Sequence, residues 1–153
     1  MTQASRDPAA DWRAITLELS HVDQQHAKLH EALADLKAKA VRGVARGELE
    51  KCINFLRDYA NFHFLTEERL MLDHAYPGDA YRAHIAEHKA FLRTVKTLFE
   101  RFGASAEPAA MAETIQAEMA NWLTEHITKV DQKLLDFIRQ RERALQTGSP
   151  TKT

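Results

Sequence analysis

The sequence predicts an all-α protein, an antiparallel up-down-up-down four-helix bundle with an N-terminal extended arm. Apolar residues recur at alternating spacings of four and three through four long stretches, the beat of helices packed at about 20° to their neighbours. Clusters of glycine and proline break the chain at three places between those stretches. No segment of useful length alternates every second residue as a strand does. Connections this short force successive helices to run in opposite directions.

Each element follows in order. Residues 1–11 carry no periodic pattern and are expected to form a flexible arm, with Trp12 the first anchor. In the first helix Val22, His26, Leu29, Leu33, Leu36 and Ala40 form the inward stripe, and Gly43 and Gly47 bracket the break after it. Leu49, Ile53, Leu56, Ala60, His63, Glu67 and Leu70 form the second stripe, ended by Tyr76-Pro77-Gly78-Asp79. Tyr81, His84, His88, Phe91, Val95, Leu98 and Phe102 form the third, and the segment from Phe102 to Pro108 closes it. Residues 1–145 are read as one domain, and residues 146–153, ending Gly148-Ser149-Pro150-Thr151-Lys152-Thr153, as a disordered tail.

The fourth helix breaks its own rhythm. Ile115, Met119, Trp122 and His126 keep the beat, after which the apolar positions shift to Val130, Leu134, Phe137 and Arg141. One extra residue has entered the stripe. His126 and Asp131, five apart, would lie about 140° from one another on an ideal α-helix. A local π-type widening across this point explains both observations, and unbroken α-type hydrogen bonding over 125–132 would contradict it.

Bulk properties narrow the class. The 153 residues are 44% hydrophobic and 28% charged with a formal net charge of −1, which points to neither nucleic acid nor an anionic membrane. The first residues show no apolar core of the kind a leader carries and no apolar run is long enough to span a bilayer, so neither a secreted nor a membrane-spanning protein is expected. The single cysteine, Cys52, excludes an internal disulfide and reads as a packed or half-packed helical residue, so a cytoplasmic protein is expected.

The chemistry lies on the stripes themselves. His26, His63, Glu67, His84, His88, His126 and Asp131 arrive as H…HxxxE…HxxxH…HxxxxD, mostly at inward positions. Ionisable groups buried there without partners would cost several kcal/mol each. A metal offsets that cost, and nitrogen-rich donors suit iron, copper or zinc rather than magnesium or calcium. Two carboxylates among five imidazoles suit a pair of metals. If Glu67, Asp131 and one solvent oxygen bridge them, His84, His88 and His126 complete six ligands on one metal. His26 and His63 leave the other with five. Leu29, Phe64, Trp122, Leu123 and Ile127 would line the open position and make it apolar and dry, a place for a small uncharged guest such as dioxygen.

These residues resemble the hemerythrin family, specifically its single-domain bacterial members. The matching stretches are Val22-Asp23-Gln24-Gln25-His26, His63 through Met71, Tyr76-Pro77 with His84-xxx-His88, and Trp122 through Ile127 with Asp131. The resemblance implies a non-haem centre of two Fe ions, oxo- or hydroxo-bridged, that binds O2 reversibly, with the seven residues as ligands and the five apolar ones as lining. It also selects iron, since the donor set alone would accept manganese, cobalt or zinc. Azide or nitric oxide would be other small ligands, and a monomer or weak homo-oligomer is expected. Where the family often has an aromatic residue after the bridging aspartate, this chain has Leu134 and Leu135.

Other groups read more plainly. His21 is part of a lone Glu-x-x-His pair with Glu18, whereas ferritin-like di-iron proteins need two. His30 is expected at the periphery or beside a ligand, His74 in solvent beside Asp73, and Glu68 outward or beside a ligand. Met71, Met111 and Met119 are expected as core fillers. An oxygen carrier or store is the leading function. The alternatives are a di-iron redox enzyme acting on peroxide or nitric oxide, and an oxygen or iron sensor.

Overall fold

The computed structural model describes residues 8–103 and 107–147, with side chains from residue 14 to 146. Helix α1 spans Pro8–Arg42, α2 Arg46–Asp73, α3 Gly78–Phe102 and α4 Pro108–Glu125. A π-helical segment, His126–Asp131, joins α4 without a break to α5, Gln132–Thr147. The described residues form the all-α four-rod bundle that the periodicity predicts, with α1 packed on α2 and α4 and α3 on the other side of the same pair.

The start of the chain differs from expectation. Residues 8–11 are the first turn of α1 and not part of an extended arm. Pro8 has a ring that presets the helical φ and no N–H to waste at a helix start, and Ala9 and Ala10 are strong helix formers. The rest of the arm, the side chain of Trp12 and residues 148–153 of the expected tail lie outside the described residues. Residues 146 and 147 are helical.

Local chemistry sets the helix ends. Gly43, at φ 73°, takes the left-handed conformation that closes α1, and the Val44 N–H reaches back to the Lys39 carbonyl at 3.3 Å. At the end of α2 Ala75 holds φ 53°, and the Tyr76 N–H bonds the Met71 carbonyl at 2.9 Å. The Glu107 carboxylate caps α4 by accepting from the Ala109 and Ala110 N–H groups at 3.2 and 2.8 Å, with Pro108 next in the chain. The π segment is closed by the Gln132 N–H donating to the Ile127 carbonyl, five residues back. Thr128 adds a hydroxyl donated to the Thr124 carbonyl at 2.8 Å.

The core is divided in two. Leu29, Leu33, Leu36, Ile53, Leu56, Phe91, Met111, Met119 and Leu123 fill one end, and Ile15, Leu19, Val22, Leu70, Met71, Leu134, Leu135 and Ile138 the other. Each fully buried leucine or isoleucine contributes roughly 1.5–3 kcal/mol of transfer free energy. Met71, Met111 and Met119 are fillers as expected, and Cys52 is half-buried, 3.4 Å from Lys39 Nζ. From the end of the π segment onward the buried positions are Asp131, Leu134, Leu135, Ile138 and Glu142, while Val130, Phe137 and Arg141 are only half-buried. The stripe is thus turned by about one residue from the one expected.

His74 corrects another expectation. It is buried, not solvated, with Nε2 3.3 Å from Glu18 Oε2 and Nδ1 3.6 Å from Glu142 Oε1. It ties the end of α2 to α1 and α5. Replacing His74 by Ala strands the buried Glu142 carboxylate and is expected to cost roughly 1–3 kcal/mol in urea unfolding, with metal content unchanged. Unaltered stability would show that the contact contributes nothing.

Candidate metal centre

Between the two apolar ends lies one polar layer. α1 contributes His26, α2 His63 and Glu67, α3 His84 and His88, and the π segment His126 and Asp131. All seven side chains expected from the sequence meet there. Six are essentially inaccessible to solvent, and His26, with its side chain 12% exposed, sits at the edge. His63 and Glu67, like His84 and His88, stand one helical turn apart on a shared face. Closing a turn with an i to i+5 hydrogen bond does the same for His126 and Asp131.

The layer is asymmetric. Asp131 Oδ1 lies 3.1 Å from His84 Nε2 and 2.8 Å from His126 Nε2. Its other oxygen, Oδ2, lies 3.0 Å from His26 Nε2 and 3.4 Å from His63 Nε2. Glu67 is placed alike, with Oε1 3.0 Å from His63 Nε2 and 3.4 Å from His88 Nε2, and Oε2 3.6 Å from His84 Nε2. Two donor sets result, Glu67-His84-His88-His126-Asp131 and His26-His63-Asp131.

These contacts are close without being satisfied. Both Glu67 oxygens are buried and lack a hydrogen bond of acceptable geometry, although a ring nitrogen stands 3.0 Å away. His88 Nε2 and His126 Nε2 face one another at 3.2 Å. Side chains that crowd together while aiming past one another converge on points in space, which is how ligands surround a cation. Imidazole with carboxylate is a donor set that iron accepts.

Three of the outward ring nitrogens are also held, whereas His84 Nδ1 is buried without a hydrogen bond. His88 Nδ1 donates to Glu68 Oε1 at 3.2 Å and His126 Nδ1 to Glu87 Oε2 at 2.7 Å. Carboxylates only accept, so Nδ1 carries a proton, and the inward Nε2 is the nitrogen left to bind a cation once its own proton is displaced. His63 Nδ1 makes the same bond to Gln25 Oε1 at 2.8 Å, and Gln25 Nε2 donates to Thr66 Oγ1 at 3.1 Å. Glu68 falls within the range expected for it, beside the candidate ligand His88. Gln25 and Glu87 were missed. Gln25 could have been noticed as a polar residue one turn before Leu29 on the stripe; Glu87 carries no such signal. His21 and His30 are exposed and take no part.

Aromatic rings brace the imidazoles. Phe64 stacks on His88 with centroids 4.1 Å apart, and Trp122 on His126 at 4.5 Å. Leu29 and Leu123 are buried in the adjoining core, and Trp122 and Ile127 are half-buried against it.

Charge in the metal-free layer is balanced by proton sharing. Burial alone would push His63 and His126 down, yet the close carboxylates of Asp131 and Glu67 outweigh it and hold them up at about 9 and about 10. His84 is raised for the same reasons. Burial works to raise Glu67 and Asp131, but the surrounding imidazoles hold both below the usual carboxylate range.

The fold and layer define a helical-bundle protein with a cation site built from histidine and carboxylate. A family model described as Hemerythrin HHE cation binding domain matches residues 17–138. The chain belongs to the hemerythrin family. It is 29% identical over 125 residues to a bacteriohemerythrin of Stenotrophomonas maltophilia, covering 82% of this chain and 78% of that one. It is 30% identical over 118 residues to one of Pseudomonas paraeruginosa, covering 77% and 73%. A bacteriohemerythrin of Methylococcus capsulatus is 31% identical over 109 residues, 71% of this chain and 79% of that one. Among the described residues no helix is long and apolar enough to cross a membrane.

Two outcomes follow. A cation entering the layer must displace protons held at pH 7 by the raised His63 and His126. Uptake of zinc by the metal-free protein should therefore release protons, and affinity should rise as pH climbs toward about 9 to about 10. Calorimetry in buffers of differing ionisation enthalpy measures the release, and pH-independent uptake would contradict it. Glu87→Gln, which weakens the acceptor on His126, should lower metal affinity roughly 10–100-fold in competition with a chelator.

Proposed function

We propose that this chain is a carrier or store for O2, binding it reversibly at two iron ions held in the polar layer of one domain, residues 1–145, in the cytoplasm. The observation that carries the reading is the division of the Asp131 carboxylate, one oxygen toward the three-histidine set and the other toward the two-histidine set. His84, His88 and His126 would hold one iron, His26 and His63 the other, and Glu67 and Asp131 would bridge them. Iron bound there would supply the reversible electron transfer that O2 binding requires.

The remaining work belongs to the protein. Three imidazoles complete one donor set and two leave the other poorer, so the side with His26 is where a small ligand has room. That side is also the less enclosed, His26 being the one half-buried member of the seven. Leu29, Phe64, Trp122, Leu123 and Ile127 would wall the position with apolar surface, excluding water and offering a guest no proton donor. Glu68, Glu87 and Gln25 hold three of the rings in place from outside, which would keep the inward nitrogens aimed at a bound metal.

The test is anaerobic loading with ferrous iron followed by repeated cycles of air and vacuum. The expected result is two irons per chain and a visible charge-transfer band that appears and disappears over many cycles. Irreversible conversion to a ferric form, or consumption of added peroxide, would overturn the carrier reading in favour of redox catalysis. Asp131→Ala and Glu67→Ala should each lose the coupled pair; retention of two coupled irons would refute the bridging roles.

A further inference from the structure

Helix α2 carries a second stripe on the face turned away from the polar layer. Phe55, Asp58, Phe62, Leu65, Arg69 and Leu72 follow one another at spacings of three, four, three, four and three. The four apolar members are 47%, 56%, 55% and 67% exposed, whereas large apolar residues on the opposite face of the same helix are buried. The rings of Phe55, Tyr59 and Phe62 succeed one another with centroids 5.8 Å apart, so the apolar surface is continuous. Such a seam is what a helix presents to another helix across a coiled-coil contact.

The stripe is also its own complement. Its six positions are mirror-symmetric about the midpoint between residues 63 and 64. When two copies of α2 lie antiparallel about a two-fold axis there, Phe55 meets Leu72 of the second copy, Phe62 meets Leu65, and Asp58 meets Arg69. Each pairing occurs twice, giving six layers over about 26 Å of helix. The charges match as well as the apolar groups. Asp58 and Arg69 are highly exposed and, among the described residues, pair with Arg57 and Asp73 on their own helix, at 3.2 and 3.9 Å, exposed pairs that exchange partners at little cost. Flanking the seam, Tyr59 falls near Thr66 and Asn61 near Glu68, so no like charges oppose. A partner of unrelated sequence has no need of a stripe that reads alike from both ends.

We propose that this chain pairs with a second copy of itself through the outer face of α2, the two helices antiparallel, with the Asp58–Arg69 pairs fixing the register. The pairing is independent of which metal or ligand the layer takes.

Sedimentation velocity over a concentration series of the full chain tests it, with circular dichroism confirming that each variant folds. A dimer is expected. Asp58→Arg alone and Arg69→Asp alone each place like charges opposite one another twice and should raise the dimer dissociation constant by at least roughly 100-fold. Combining the two exchanges restores opposite charges and should restore the dimer. Phe62→Glu should leave a folded monomer. A monomer at all concentrations into the hundreds of micromolar overturns the proposal. So does a dimer indifferent to the single exchanges, or one that the combined variant fails to recover.

Discussion

The structure is organised around the cost of burying seven ionisable side chains in one layer of an apolar bundle. Two carboxylates and four of the five imidazoles are almost entirely withdrawn from water. Left to themselves such groups oppose folding, each by several kcal/mol. The layer survives because its members offset one another. The imidazoles hold the Glu67 and Asp131 carboxyls ionised, and the carboxylates hold protons on His63 and His126. That compensation is incomplete, since both Glu67 oxygens lack proper hydrogen bonds. A layer short of donors in just this way is complementary to cations.

Much of the rest of the fold serves to keep that layer in register. Two separate apolar ends pack above and below it, so the four rods cannot slide without exposing one end or the other. The π segment lets the fourth rod present two candidate ligands five residues apart and then resume packing with Leu134, Leu135 and Ile138 inward. A regular helix would have turned Asp131 away from His126. The widened turn gives up α-type hydrogen bonds locally, and Thr128 recovers part of that loss by donating its hydroxyl to the Thr124 carbonyl. Backbone irregularity is placed where the chemistry requires it.

Helix α2 shows how two demands share one element. Its inner face supplies His63 and Glu67 between apolar turns, and its outer face carries the self-complementary seam. Both stripes repeat every 3.5 residues, and helical geometry lets them run along opposite sides of the same 28 residues without competing. His74, just past the end of α2, is pinned between Glu18 and Glu142, so the helix bearing His63 and Glu67 is anchored to both α1 and α5.

Residue spacing by itself determined the helical class, the breaks, the seven-residue constellation and the irregular turn between His126 and Asp131. These are properties of periodicity, and a period is written into a chain one residue at a time. What the tertiary structure alone decided is where polar groups end up when elements from distant parts of the chain meet. His74 beside Asp73 reads as solvated until α1 and α5 close over it. Glu87 carries no signal in the sequence, and only the fold sets it 2.7 Å from His126 Nδ1. The division of Asp131 between two sets of imidazoles depends on carboxylate orientation, which no spacing encodes. Long-range electrostatic partners are chosen by packing geometry, and packing is a property of the folded whole.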